Sequence, residues 1–390
     1  MGLFYLLPVL QLVLNHQQVY LDSGNQDVCY FNFRCKYPFW IFEDFGHVFS
    51  NLSYIMCGFL FIFLVQRRSI KYEEQCSTME DRYHPDNCGI PEQYGIYYAL
   101  GLALIMEGLL SACYHICPTT KNFQFDTTFM YTIGILVFLK VYQFRHPDIT
   151  HKARSIFLIL GITLTIEVIG YYTADIFFWA IFVVLELILV TCLILQPYFS
   201  GYLTNFCPSG RLGWDSIRNF SYSSLCKGIK CESKYRRSCV RTVLVLLFNI
   251  VLCFVILWLR KPGVSRYILM IILANMMMYV AYYVYMKCYY RCRCSDYLPN
   301  EGLRLTSLVY VLISGIFAGI ALYYFTTERK KSAYSPAESR NLNFECEVGI
   351  FDSHDMWHFC SSFGLLFMFM FILTLEDNNV AEKRKNMPVF

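Results

Sequence analysis

Apolar residues in this chain come in continuous blocks of about 20, the length a helix needs to cross a ~30 Å hydrocarbon core. In order, the blocks predict helical spans over Leu3–Leu14, Gly46–Val65, Tyr94–Cys117, Phe125–Phe144 and Ser155–Tyr172. Five more follow at Ile176–Leu195, Val240–Leu259, Tyr267–Met286, Leu305–Phe325 and Phe351–Leu375. The fold class this predicts is all-α, a polytopic integral membrane bundle of about ten spans. A transmembrane β-barrel would instead show ~10-residue segments of alternating polarity. The first block is short, because about 12 residues rise only ~18 Å as a helix. Either it extends into the polar stretch Asn15–Gln18, or the chain begins inside a longer natural sequence; the second is the expectation.

Composition excludes a soluble multidomain protein. Of the 390 residues, 56% are hydrophobic, 18% aromatic and 16% charged, with a mean hydropathy of +0.40. A typical globular domain carries roughly 25% charged residues. The net charge of +4 does not mark a nucleic-acid-binding surface, because the 33 Lys and Arg sit almost entirely between the apolar blocks. Alternate connections hold 23 of them in one set and 10 in the other, which assigns the first set to the cytosol. Both termini are then cytosolic. A single transmembrane domain is expected over 1–390, with a basic cytosolic loop at 197–239 and a cytosolic tail at 376–390. The opening block lacks the basic n-region and cleavage site of a secretory signal, and no internal repeat is visible.

This orientation sorts the 18 cysteines. Cys29, Cys35, Cys117 and Cys346 fall on the oxidising side and can form two disulfides, with all three connectivities open. Cys207, Cys226, Cys231, Cys239, Cys288, Cys292 and Cys294 fall in the cytosol and should be reduced. Palmitoylation of the Cys288, Cys292, Cys294 run and plain thiols are equally good readings there.

Ionisable groups inside spans mark function by default. Glu107, Ser111 and His115 are spaced i, i+4, i+8 and form one polar stripe on an otherwise apolar helix. Asp126 opens the next span just across a short turn, and His354 and His358 open the last one. The two late histidines are four apart, about 40° round a helix, and can aim at one point. Topology delivers Ser111, His115, Asp126, His354 and His358 to the outer face. His115, His354 and His358 are therefore candidate ligands of a zinc ion, three imidazoles leaving a fourth position open as in catalytic zinc. Asp126 could take a proton or orient a histidine, and Ser111 could bond a reacting oxygen. The alternative is a satisfied polar cluster that pins three helices together.

The runs SACYH at Ser111–His115, QFDTTFMY from Gln124 and HDMWHF from His354 resemble the CREST superfamily of membrane hydrolases, whose pattern is Ser-x3-His, an Asp eleven residues on, and a late His-x3-His. Within it, GNQDVCYFNF from Gly24, MEGLLSACYHICP from Met106, RHPDI from Arg145 and SPAESR from Ser335 resemble the systemic-RNAi-defective (SID) transmembrane family. That resemblance runs the length of the chain. It implies uptake or transfer of double-stranded RNA, with cholesterol binding and transport also attributed to members. It also implies Zn2+ on the three histidines, and a β-rich ectodomain, a further span and a loop ahead of the point where this chain begins. RNA capture would rest largely with that ectodomain.

The function expected is therefore transmembrane transport of double-stranded RNA by a protein with an outward-facing zinc site. Two alternatives from other classes are a zinc-dependent lipid hydrolase, with Ser111 and Asp126 catalytic, and a sterol-binding protein with structural zinc. Expected partners are double-stranded RNA, membrane lipid or cholesterol, and a second copy in a homodimer, in the plasma membrane or in lysosomal or endosomal membranes. Minor signals are a loose cholesterol motif or interfacial anchor at Leu139–Arg145, polar Glu167 and Glu186 within spans, His47 at the rim of the site, and an Asn51-Leu-Ser53 sequon placed inside a span.

Overall fold

The computed structural model describes residues 2–78, 89–90, 93–119, 122–145, scattered positions from 161 to 173, 176–199, 233–258, 264–293, 301–327, 335–380 and 382. The chain is all-helical across them, with two isolated bridges in place of any sheet. Its helices are α1 (Gly2–Ser23), α2 (Phe45–Ser50), α3 (Leu52–Thr78), α4 (Tyr94–Ile116) and α5 (Gln124–Arg145). They continue with α6 (Ile176–Phe199), α7 (Ser233–Trp258), α8 (Val264–Arg293), α9 (Leu305–Thr327), the single turn α10 (Pro336–Ser339) and α11 (Ser353–Thr374). Among the described residues, six helical segments are long and apolar enough to cross a membrane: Phe45–Glu74, Tyr94–Ile116, Gln124–Arg145, Tyr267–Cys292, Leu305–Thr327 and Ser353–Asn379. Phe59 and Leu312 are 60% and 65% exposed, as lipid-facing side chains on such helices would be. The span expected at Ser155–Tyr172 is described only at scattered positions, all helical. Of the loop expected at 197–239, residues 200–232 lie outside the described residues, while its two ends belong to α6 and α7.

Two compact units divide the chain. Unit one holds the described residues up to 141 and from 287 to 382, and unit two holds those from 142 to 286. In unit one, α3 lies against α4 and α9 against α11. Lipid tails are as apolar as leucine, so such pairs are held by close packing and polar pins rather than by hydrophobic burial. Gly58, Gly101 and Gly108 supply the close packing between α3 and α4. A Cβ on any of them would sit within 2.8 Å of the facing helix. Ser314 and Ser307 supply pins from α9, donating to the Gly364 and Thr374 carbonyl oxygens at 2.8 and 3.0 Å. At the other end of the same bundle Lys287 is enclosed between Glu301 at 3.1 Å and Glu376 at 2.9 Å, and Arg68 pairs with Asp377. The segment from Glu376, expected as a cytosolic tail, is held to the bundle through Glu376 and Asp377.

α1 is longer than its apolar block. It runs on through Asn15–Gln18 to Ser23, the extension that the sequence reading ranked second. The reason is local: Gln17 is buried and donates to the Ile41 carbonyl at 2.5 Å, so its polar end lies on protein rather than lipid. Beyond α1, Lys36 bonds Glu43 and Tyr20. Burial opposes its charge, but these partners outweigh burial and hold its pKa above the ordinary lysine value.

In unit two, Asn249 of α7 and Asn275 of α8 exchange amide hydrogen bonds at 3.0 and 2.8 Å. Glu186 of α6 accepts from Cys253 and Tyr267, so it serves helix packing there. Glu167 lies outside the described residues. Tyr142 and Arg145 are buried, with Arg145 Nε donating to Tyr283 at 3.0 Å, so neither works as an exposed sterol motif or headgroup anchor.

Candidate metal centre

The centre begins with the way α11 starts. Asp352 caps it, its carboxylate accepting from the His354 and Asp355 backbone N–H groups while Asp355 accepts from the Asp352 N–H. This reciprocal box satisfies donors that a helix start leaves orphaned and fixes the first turn. His354 and His358 then project from one face, one turn apart. From α4, the stripe Glu107, Ser111 and His115 arrives at 1%, 1% and 4% exposure. From α5, Asp126 arrives in the first turn.

These groups meet. His115 Nε2 and His354 Nε2 are 3.2 Å apart. The His358 ring centroid lies 4.5 Å from that of His354 and 5.2 Å from that of His115. Each histidine offers a ring nitrogen within 4.8 Å of the others. His358 is fully buried, and its Nε2 has no hydrogen-bond partner among the described residues. A buried polar atom left so costs about 1–3 kcal/mol. Two imidazoles on one tetrahedral zinc at ~2.0–2.1 Å hold their nitrogens ~3.3–3.4 Å apart, close to the observed separation. A single N–H···N bond between His115 and His354 also fits 3.2 Å, but it leaves His358 Nε2 orphaned. The donor set therefore suits a zinc ion better than a metal-free pin.

Around the three rings lie further polar groups. Ser111 Oγ donates to Asp126 Oδ1 at 2.5 Å, and that oxygen stands 3.8 Å from His115 Nε2. His47 stacks on His354 with ring centroids 5.3 Å apart. It faces Asp44 at 3.0 Å, Asp352 at 3.5 Å and Asp355 at 3.8 Å. His47 is thus part of the cluster rather than its rim. Ser50 Oγ lies 2.8 Å from His358 Nδ1 and 2.9 Å from Asp355 Oδ1. Two disulfides frame this end of the unit, Cys29–Cys117 beside His115 and Cys35–Cys346 beside the start of α11. Asn32 adds a third tie, donating to Asp352 Oδ2 at 2.9 Å.

A family profile described as the dsRNA-gated channel SID-1 matches residues 1–390. The chain belongs to the SID-1 family. It is 36% identical over 397 residues to SID1 transmembrane family member 1 of Rattus norvegicus, covering 100% of this chain and 46% of that protein. The Homo sapiens protein of the same name is 35% identical over 397 residues, with the same coverage. Cholesterol uptake protein 1 of Caenorhabditis elegans is 33% identical over 400 residues, covering 100% of this chain and 50% of its own length. This SID-1 family chain thus spans about half the length of those relatives.

Every site residue singled out from the sequence (Ser111, His115, Asp126, His354 and His358) lies in this one cluster. Ser50, Asp44, Asp352 and Asp355 were not foreseen. Asp352-Ser-His-Asp355 does carry a helix-start signature, an acidic cap with a second acid three residues on. Asn51 is fully buried with its amide donated to the His47 carbonyl, so its sequon cannot be glycosylated. Cys288 and Cys292 are exposed free thiols, while Cys207, Cys226, Cys231 and Cys294 lie outside the described residues.

Proposed function

We propose that this chain serves membrane transport of double-stranded RNA, and that His115, His354 and His358 hold a zinc ion at its outward-facing end. The family match along the whole chain supports the first part. The observation that carries the second is the orphaned Nε2 of buried His358 beside two Nε2 atoms 3.2 Å apart. The outward assignment rests on the two disulfides at the same end, since disulfides persist on the oxidising side of a membrane.

Zinc bound here would supply Lewis-acid polarisation of an oxygen and a charge that ties α4 to α11. The chain's own residues do the rest. Asp352 and Asp355 set the turn that aims His354 and His358. Ser111 holds Asp126 beside His115.

That Ser111–Asp126 pair favours a second reading, a zinc-dependent lipid hydrolase. Asp126 can accept a proton next to the metal ligands, which a purely structural site does not need. The name of the nematode relative makes cholesterol the first lipid to test as a ligand.

Elemental analysis of detergent-purified protein should find about one zinc per chain, lost in the His354→Ala, His358→Ala double variant. Uptake of fluorescent double-stranded RNA, normalised to surface protein, is measured in the same pair. Metal content that survives the double substitution would overturn the zinc assignment. Uptake equal to that of untransfected cells would overturn the transport reading.

A further inference from the structure

A metal ligand must present a lone pair, and a neutral imidazole has only one, on whichever nitrogen lacks the proton. His358 can be assigned from its neighbours. Its Nδ1 lies 2.8 Å from Ser50 Oγ. Ser50 has two other neighbours, Asp355 Oδ1 at 2.9 Å and the His47 carbonyl at 3.1 Å. Both are acceptors in this arrangement, and a serine has one proton. If that proton went to His358, the serine lone pairs would face two acceptor oxygens at contact distance. The proton therefore goes to Asp355 or to the carbonyl, and Ser50 Oγ is left to accept from Nδ1–H of His358. The lone pair then sits on Nε2, the buried atom with no partner among the described residues.

We propose that Ser50 and Asp355 are positioning residues that hold His358 in the Nδ1–H tautomer and so present Nε2 to the metal. The inference rests on the zinc reading above. It gives α2 a purpose that its length alone does not. This six-residue helix ends at Ser50, and the Ser50 hydroxyl bridges it to α11 at the ligand. Asp355 acts twice, one oxygen on the helix start at 3.0 Å and the other on Ser50. The ring orientation of His358 is thereby locked to the cap of the helix that carries it.

Asp355→Asn is the informative variant. The oxygen that accepts from the Asp352 N–H must remain an oxygen, so the new amide NH2 faces Ser50. It donates where the carboxylate accepted and competes with His358 Nδ1–H for the serine lone pairs. The His47 carbonyl is left as the one acceptor for the serine proton, so the hold on the Nδ1–H tautomer weakens. Ser50→Thr and Ser50→Val give a second comparison, because they share one shape and differ only in the hydroxyl.

The full chain is purified in detergent, and zinc affinity is measured by competition with a chromophoric chelator. Cobalt is substituted to read ligand geometry from its visible spectrum, and metal-free thermal midpoints control for folding. Ser50→Val and Asp355→Asn should each bind zinc ~10–100-fold more weakly with an altered cobalt spectrum, while Ser50→Thr stays near wild type. Equal affinity and spectra for the Thr and Val variants would overturn the relay. If wild type binds no zinc, or His358→Ala binds as well as wild type, the zinc reading itself falls and the relay falls with it. Wild-type binding that His358→Ala abolishes, with both Ser50 variants unaffected, overturns the relay alone.

Discussion

Gly108 stands on α4 between Glu107 and the rest of the polar stripe, and α3 crosses it closely. A Cβ built there would lie 2.8 Å from the Asn51 carbonyl oxygen, 2.8 Å from Ile55 Cγ1 and 3.0 Å from Tyr54 Cβ. The isoleucine can rotate away, but the backbone oxygen cannot. In Gly108→Ala the two helices must part by about 0.6 Å, from 2.8 Å to the ordinary contact of 3.4 Å. Overpacking of this kind costs about 1–3 kcal/mol. Asn51 directly follows Ser50, whose hydroxyl is 2.8 Å from His358 Nδ1. The displacement therefore reaches a ligand, and sites of this type tolerate about 0.5 Å. Gly108→Ala should lower both the metal-free thermal midpoint and zinc affinity, the latter about tenfold, near the low end of losses from disturbed ligand support. Gly315→Ala on α9 is the control, since nothing lies within 4 Å of its Cβ position. There, gain of helix propensity should leave stability equal or higher. Thermal scans and chelator competition on both variants decide it. If the Gly108 and Gly315 variants behave alike, the close approach of α3 to α4 does not govern the centre.

The remaining predictions address charge. Lys287→Met leaves Glu301 and Glu376 facing one another in the protein interior and should destabilise the chain by about 3–5 kcal/mol, with part of the loss recovered by adding Glu301→Gln; a Lys287→Met protein that unfolds like wild type would show the cluster to be wetter than its geometry implies. On the hydrolase reading, Asp126→Asn keeps the volume but cannot accept a proton, so metal-dependent lipid release should slow ~10²–10⁴-fold with zinc content retained. Wild-type protein that releases no lipid at any zinc loading would eliminate the hydrolase reading.

The parts of this architecture legible in the sequence are those governed by local periodicity. The block Tyr94–Cys117 became a helix over Tyr94–Ile116, and the i, i+4, i+8 stripe on it is buried as a stripe because spacing alone puts those residues on one face. The pair His354 and His358 was readable for the same reason. Ser50 was not, because its partners lie more than 300 positions away, and no periodicity links the end of one helix to the start of another at that separation. The break at Asn51 was also hidden, since α2 and α3 share one continuous apolar block. Cysteine arithmetic gave two disulfides but not the pairing. The choice of Cys29–Cys117 and Cys35–Cys346 depends on how the chain between α1 and α2 folds over the helix ends, which local pattern does not encode.

The electrostatics of the centre bear on how it could serve an RNA transporter. Asp44, Asp126, Asp352 and Asp355 bring four carboxyl groups to one buried end of the bundle, together with the histidines. Carboxylates repel a phosphate backbone, whereas nucleic-acid surfaces gain affinity by setting Lys and Arg against phosphates. A site built this way is suited to a cation and not to RNA. Histidine is also the appropriate ligand beside two disulfides, because thiolates on an oxidising side would themselves be open to oxidation. If the centre supports RNA passage, it does so by fixing α4, α5 and α11 against α2 and α3. Loss of zinc should then reduce uptake in step with loss of folded protein at the cell surface, and uptake per correctly folded molecule should stay constant.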